Sequence, residues 1–223
     1  MSVYHHPRIV TDGLVLHLDA ANKKSYPGNG TTWYDLSKNK NSLNMINSGS
    51  ITYNSSGYFS TGSTGYFYKS GNTNIPTGNS NYTMEVWCRR SSFTTARGII
   101  TIGGFGVNNQ SNALRFGDST NTFRHYWWFN DVQYSFPFVA NQWFLVTALF
   151  DGTNRKIYYN GSNLLGTTAS SNHNVTSSDV YVGKTYSTEY FQGDIASARI
   201  YNKALSANEI LQNFNATKSR YGL

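Results

Sequence analysis

The 223-residue chain has one cysteine, Cys88, and four prolines. A lone cysteine excludes an internal disulfide and says little about compartment. Charged residues make up 13% of the chain, about half the usual share. Glutamate falls to three positions, Glu85, Glu189 and Glu209. No apolar run approaches the roughly twenty residues that a membrane-spanning helix needs, and no charged-then-apolar leader opens the chain. No membrane partner is expected, and synthesis in a cytoplasm is.

Catalytic and metal motifs are missing as well. G-x-S-x-G is absent, so no nucleophile elbow is signalled. The histidines His5, His6, His17, His125 and His173 lack metal-ligand spacing. Gly103-Gly104 precedes neither a Lys-Ser/Thr pair nor a helix start, as a phosphate loop would require. The calcium pattern D-x-D-x-D-G does not occur, so neither a cofactor nor a bound calcium is supported by a motif. The eleven acids are dispersed, with no two within four residues of each other. Retaining glycoside hydrolysis needs two carboxyl groups about 5 Å apart. Only Glu85, with a remote partner such as Asp118 or Asp131, is a candidate for it. The expectation is a protein that is not an enzyme.

What the chain does have is aromatic: seventeen Tyr, thirteen Phe and five Trp, set among Gly, Asn, Ser and Thr. That composition describes strands joined by polar turns. In GLVLHLDA, Leu14, Leu16 and Leu18 alternate with Val15, His17 and Asp19. In YTMEVWCRR, Tyr82, Met84, Val86 and Cys88 share one face and Thr83, Glu85, Trp87 and Arg89 the other. QWFLVTALF, an Asp151-Gly152 turn and RKIYYNG form a hairpin, and Asn160-Gly161 turns into the next strand. Turn signals recur at roughly ten-residue spacing, which indicates an all-β sandwich or barrel. Ser206 and Glu209 form an S-x-x-E capping box before Ile210, Leu211 and Phe214, so one short amphipathic helix closes the chain.

Four of these stretches in register resemble laminin-G-like, concanavalin A-like domains. They are YTMEVWCRR, WFLVTALFDGTNRKIYYNG, VYVGK and FQGDIASARIYNKALSANEI. The resemblance runs from Asp12 to Phe214 and implies a two-sheet antiparallel jelly-roll sandwich over residues 12–223. The opening DGLVLHLDAANKKSYPGNGTTWYDLS is similar to the start of such domains in structural proteins of tailed bacteriophages. That implies a virion component, a capsid decoration or tail-fibre part, whose partners are other virion proteins or further copies of itself. The fold also carries lectins and glucanases, so fold kinship leaves function open. The alternative is a carbohydrate-binding, lectin-like adhesion module for host attachment, with cell-surface glycans as partners, and the weaker alternative is a glycoside hydrolase. Many members place an acid after the isoleucine that precedes Arg-Ile-Tyr; here Ala196 stands there, so a family calcium site does not carry over.

Two regions are candidates for binding. Residues 1–11 precede the first patterned strand as an arm, in which Tyr4, His5, His6, Pro7 and Arg8 would dock against the domain or a partner. TFRHYWWF places Phe123, His125, Trp127 and Phe129 on one face and Arg124, Tyr126 and Trp128 on the other. One face of a sandwich strand enters the core and the other must meet solvent, a loop, a ligand or another chain. An Arg-Tyr-Trp surface, extended by Gln133 and Tyr134, suits sugar stacking or a protein interface; a covering loop is the third reading. The net charge of +7 is scattered, with no basic run of four, so no specific nucleic-acid partner is expected.

Overall fold

Alternating apolar residues and turn residues cut the described residues into sixteen strands. The computed structural model describes residues 7–223. The first strands are short: β1 (Leu14–Asp19), β2 (Thr32–Trp33), β3 (Leu43–Ile46), β4 (Ile51–Asn54), β5 (Tyr58–Thr61) and β6 (Tyr66–Lys69). The middle holds β7 (Tyr82–Arg89), β8 (Gly98–Gly103), β9 (Ser111–Phe116), β10 (Thr122–Tyr126) and β11 (Val132–Ser135). After them come β12 (Phe144–Phe150), β13 (Asn154–Tyr159), β14 (Asn163–Ala169), β15 (Val180–Val182), β16 (Gly193–Tyr201) and the helix α1 (Ala207–Asn215). The Asn160-Gly161 turn puts both residues at positive φ, 48° and 86°, the geometry that a tight β13–β14 hairpin demands.

The strands pair antiparallel into two sheets. Sheet A runs β14-β13-β12-β7-β16-β5-β4, with β1 also on β16; sheet B runs β11-β10-β9-β8-β15-β6-β3-β2. The expected sandwich is therefore present. Between the sheets lies one core containing Met84, Val86, Val146, Ala148 and Ile200 from sheet A. Sheet B adds Ile100, Leu114, Phe116, Phe123 and Val182. Each such large apolar side chain removed from water stabilises the fold by about 2 kcal/mol before conformational entropy is charged against it.

The two outer faces differ. On sheet A, α1 and the 3-10 turn Lys218–Tyr221 cover Trp87, which stacks on Tyr221 at 4.0 Å between centroids. The helix carries the expected capping box. Val10 also packs here: its N–H donates to Asn213 Oδ1 at 2.8 Å and its carbonyl accepts from the Tyr201 hydroxyl at 3.1 Å. The Gln212 side chain donates to the Arg8 carbonyl at 2.7 Å. The last residues of the expected arm are thus tied to the domain itself. Pro7 and Arg8 are exposed, while Tyr4, His5 and His6 lie outside the described residues. No helix among the described residues is long and apolar enough to cross a membrane.

Candidate functional site

The outer face of sheet B is covered in part by a loop. Lys184–Tyr190 lies over β8 and β9, where the Thr101 hydroxyl donates to the Lys184 carbonyl at 3.0 Å and Arg115 meets Glu189 at 3.7 Å. Aromatic side chains stand beside and on that loop. Period-two alternation sends Phe67 and Val182 inward and leaves Tyr66, Tyr68 and Tyr181 outside, Tyr181 lying opposite Tyr68 in register. Their rings begin a continuous aromatic band. Tyr190 lies 6.0 Å from Tyr66, and Tyr181 lies 6.2 Å from Tyr66 and 4.6 Å from Tyr68. Loops carry the band onward: Phe105 is 5.1 Å from Tyr181, and Tyr186 is 6.0 Å from Phe105 and 4.5 Å from Trp128. Trp128 then touches Tyr126 at 5.5 Å and Phe129 at 6.0 Å. Lys184 Nζ lies over both Tyr66 and Tyr190, at 4.5 and 4.9 Å.

The β10–β11 turn pushes the band outward by an unusual backbone. Trp128 and Phe129 both have positive φ, 64° and 58°. Glycine or asparagine adopts this region cheaply; consecutive bulky aromatics do not. Polar anchors hold the turn in place. The Trp127 N–H donates to Asp131 Oδ1 at 3.0 Å, and Arg155 donates to the Asn130 carbonyl at 2.7 Å. Beneath it, the Trp127 ring is clamped between the Arg155 guanidinium, 4.0 Å away, and the His173 ring, 3.9 Å away. The Trp127 indole N–H donates at 2.9 Å to the Tyr82 hydroxyl, which pairs with His125 Nε2 at 2.6 Å. Strain maintained by such over-determined surroundings is a feature of working surfaces. Here it leaves Phe129 81% exposed; Tyr186, on the β15–β16 loop and against Trp128, is 37% exposed.

The residues expected from the sequence divide. Phe123, His125 and Trp127 enter the core side, and Arg124 and Tyr126 face out, as alternation requires. Phe129 departs from that pattern because β10 ends at Tyr126 and the turn swings Phe129 into solvent. Of the expected patch, Trp128 is half-buried and open to contact. Tyr126 is buried beneath it, 5.2 Å from the Arg115 guanidinium, and burial pushes its hydroxyl pKa up. Arg124 is held by Asp118 and by Asp131 at 3.3 Å, so its fork is occupied. Tyr134 does not extend the patch. It lies opposite Phe123, on the inward side, with its ring against Gly166 of β14 and its hydroxyl bonded to Thr168. Gln133, opposite Arg124, faces out. Tyr66, Tyr68 and Tyr181 were legible as alternating positions in GYFYK and VYV; Phe105, Tyr186 and Tyr190 come from loops with no periodic signal.

Carboxylates take other positions. Glu85 is 1% exposed on the outer face of sheet A, under α1. It pairs with Arg199 at 3.0 Å and accepts from Asn213 at 2.9 Å. Burial pushes its pKa up, and Arg199 and Asn213 pull against that. Asp118 and Asp131, expected as remote partners for Glu85, belong with Arg124 on the opposite sheet. Each pairs with the Arg124 guanidinium, and Asp118 pairs with Arg115 as well, at 2.9 Å. Among the described residues no group of three or more His, Cys, Asp or Glu is placed to hold a metal ion.

A family model described as the concanavalin A-like lectin/glucanases superfamily matches residues 61–211. The chain belongs to that superfamily. Solved structures share this fold at low identity. Trypanosoma rangeli sialidase in complex with the inhibitor DANA aligns at 15% identity and a TM-score of 0.71, over 95% of this chain and 34% of that one. Domain 4 of AbnA, a GH43 extracellular arabinanase from Geobacillus stearothermophilus, in complex with arabinotriose, aligns at 14% identity and a TM-score of 0.62. It covers 92% of this chain and 99% of that domain. The binding domain of botulinum neurotoxin DC in complex with SialylT aligns at 18% identity and a TM-score of 0.63, over 92% and 52% of the two chains. The chain thus spans about a third of the sialidase chains it matches. No curated protein sequence matches it.

Proposed function

We propose that this superfamily member is a non-catalytic glycan-binding module that takes an oligosaccharide along the aromatic band of sheet B. The observation that carries the reading is the continuity of the band from Tyr190 to Phe129 along the outer side of sheet B, away from α1. Aromatic rings offer flat apolar faces to the C–H surfaces of pyranoses, with a small number of polar groups fixing orientation. Lys184 and the tyrosine hydroxyls supply those groups here. The solved neighbours bound to arabinotriose or to SialylT make a saccharide ligand a consistent choice for this fold.

Absence of catalysis is part of the proposal. Its support is that Glu85 is sealed under the helix and that Asp118 and Asp131 are both tied up by Arg124. Asp131→Asn tests it: a polysaccharide cleavage activity that this substitution abolishes would contradict the reading.

A glycan array tests the binding. The parent protein is expected to give a defined set of signals and Trp128→Ala to lose them; a blank array for the folded parent contradicts the proposal. The finer placement, in a tailed-phage particle as a decoration or fibre part meeting host glycans, rests on the resemblance of the Asp12–Ser37 stretch. It calls for removal of residues 1–6 alone, because residues 8–10 help to hold α1. Particles should then fail to incorporate a domain that still folds.

A further inference from the structure

A second ligand cleft lies on the other side of the sandwich. It has a volume of about 390 Å³ and is lined by Tyr58, Arg89, Trp143, Arg220 and Tyr221, with Ala196 among its lining residues. Five remote segments assemble it: the β4–β5 turn, the end of β7, the residue before β12, Ala196 on β16 and the C-terminal turn. Gly57 in the first of these is at φ 87°, and a Cβ there would come within 2.4 Å of the Ala21 side chain. The close approach of that turn to the neighbouring loop therefore needs glycine.

The cleft holds a preset guanidinium. Arg89 Nε donates to Asp194 at 2.7 Å, its cross-strand partner, and Asp194 is itself fixed by the Ser60 hydroxyl at 2.6 Å. The Arg89 guanidinium also lies 5.0 Å from the Tyr58 ring centre and 4.8 Å from that of Trp143. Among the described residues only its Nε has a bonded partner, so the terminal nitrogens keep their donors. Arg220 is held differently: both of its terminal nitrogens donate to the Asp19 carboxylate, at 2.8 and 2.9 Å, so its fork is already engaged. An adjoining shallow hollow shares Arg220 and Asp19 and adds Lys23 and Lys24. Around the two hollows stand four cations, Arg89, Arg220, Lys23 and Lys24, against two anions, Asp19 and Asp194. A forked donor that is already oriented recognises a carboxylate bidentately at little entropic cost.

We propose that this cleft binds a carboxylated pyranose, a uronic-acid unit of an acidic saccharide. The carboxylate meets the free terminal nitrogens of Arg89, with the positive charge of Arg220 beside it, and the C–H face of the ring lies against the aromatic walls. A bare inorganic anion would leave those walls and most of the volume unused. The site is independent of the aromatic band and stands even if the band binds nothing.

The test is calorimetric titration with trigalacturonate and with its fully methyl-esterified form, which keeps the shape and removes the charge. The free acid should bind with an affinity that falls as salt rises, and the ester should bind at least tenfold more weakly. Arg220→Gln should weaken uronate binding at least tenfold; Trp128→Ala should leave it unchanged. If Arg89→Gln disturbs folding, Arg220→Gln carries the test alone, because its side chain is one-third exposed. Equal affinity for acid and ester, full affinity in folded Arg220→Gln, loss in Trp128→Ala, or no heat at millimolar trigalacturonate would each overturn the proposal.

Discussion

At Trp128 and Phe129 the backbone works against stability. Their left-handed backbone costs on the order of 1 kcal/mol each, and the exposed Phe129 side chain returns little of it through packing. Phe129→Asn is therefore expected to stabilise the fold by roughly 0.5–1 kcal/mol in urea denaturation, since asparagine tolerates this conformation. A lower stability would show that the Phe129 ring contributes packing after all. Glu85 is the opposite case, a polar residue whose role is internal. Glu85→Gln leaves the Arg199 charge buried and uncompensated, and about 3 kcal/mol of stability should be lost. A loss within the scatter of surface mutants would contradict that. Alternation alone placed Glu85 opposite Met84 and Val86, but it could not say that a helix from far along the chain would bury it. Tyr134 was misplaced for a related reason: its side was set by register with Phe123, and register depends on where the β10–β11 turn falls.

At the scale of elements, the hairpins and the helix were legible because their signals are local. Asn160-Gly161 and the Ser206/Glu209 capping box read the same in sequence and structure. Ser206→Ala should cost about 1 kcal/mol by removing one half of that box. The junction between β11 and β14 could not be read, because it joins strands of different sheets. Its tightness is measurable: a Cβ on Gly166 would come within 2.2 Å of the Tyr134 ring. Gly166→Ala should lower stability by about 2 kcal/mol, as overpacking does, and Tyr134→Phe should be milder. If Gly166→Ala melts like the parent, the two sheet edges are not closed as described. The aromatic band is legible where strands carry it and silent where loops do. Loop residues such as Phe105, after β8, and Tyr186, after β15, are brought together only by the long-range pairing of those two strands.

For the whole molecule, the two outer faces are covered differently: α1 and the C-terminal turn lie on sheet A, and the Lys184–Tyr190 loop lies on part of sheet B. The end of the core beneath sheet B is held by neutral histidines. Burial holds His173 down to about 4 and His125 well below the ordinary value; His17, on the other sheet, is lowered to about 4, by burial first and then by Arg199. The unfolded chain takes up these protons near pH 6.5, whereas the folded one resists. The stability they support is complete above about pH 6.5 and drains away as pH falls toward 4; for His173 the loss is on the order of 3 kcal/mol. Urea midpoints measured across that range should fall steeply in the parent and less steeply in His173→Gln. Equal slopes would show that His173 does not couple folding to protons.

The central claim is best tested by mapping amide and indole chemical shifts while a neutral, array-selected oligosaccharide is titrated in. The largest changes should fall on the Trp128 indole and on Tyr66, Tyr68, Tyr181 and Tyr186, with Trp87 beneath α1 unmoved. Changes centred on the helix-covered sheet, with the tyrosines of sheet B silent, would contradict the account.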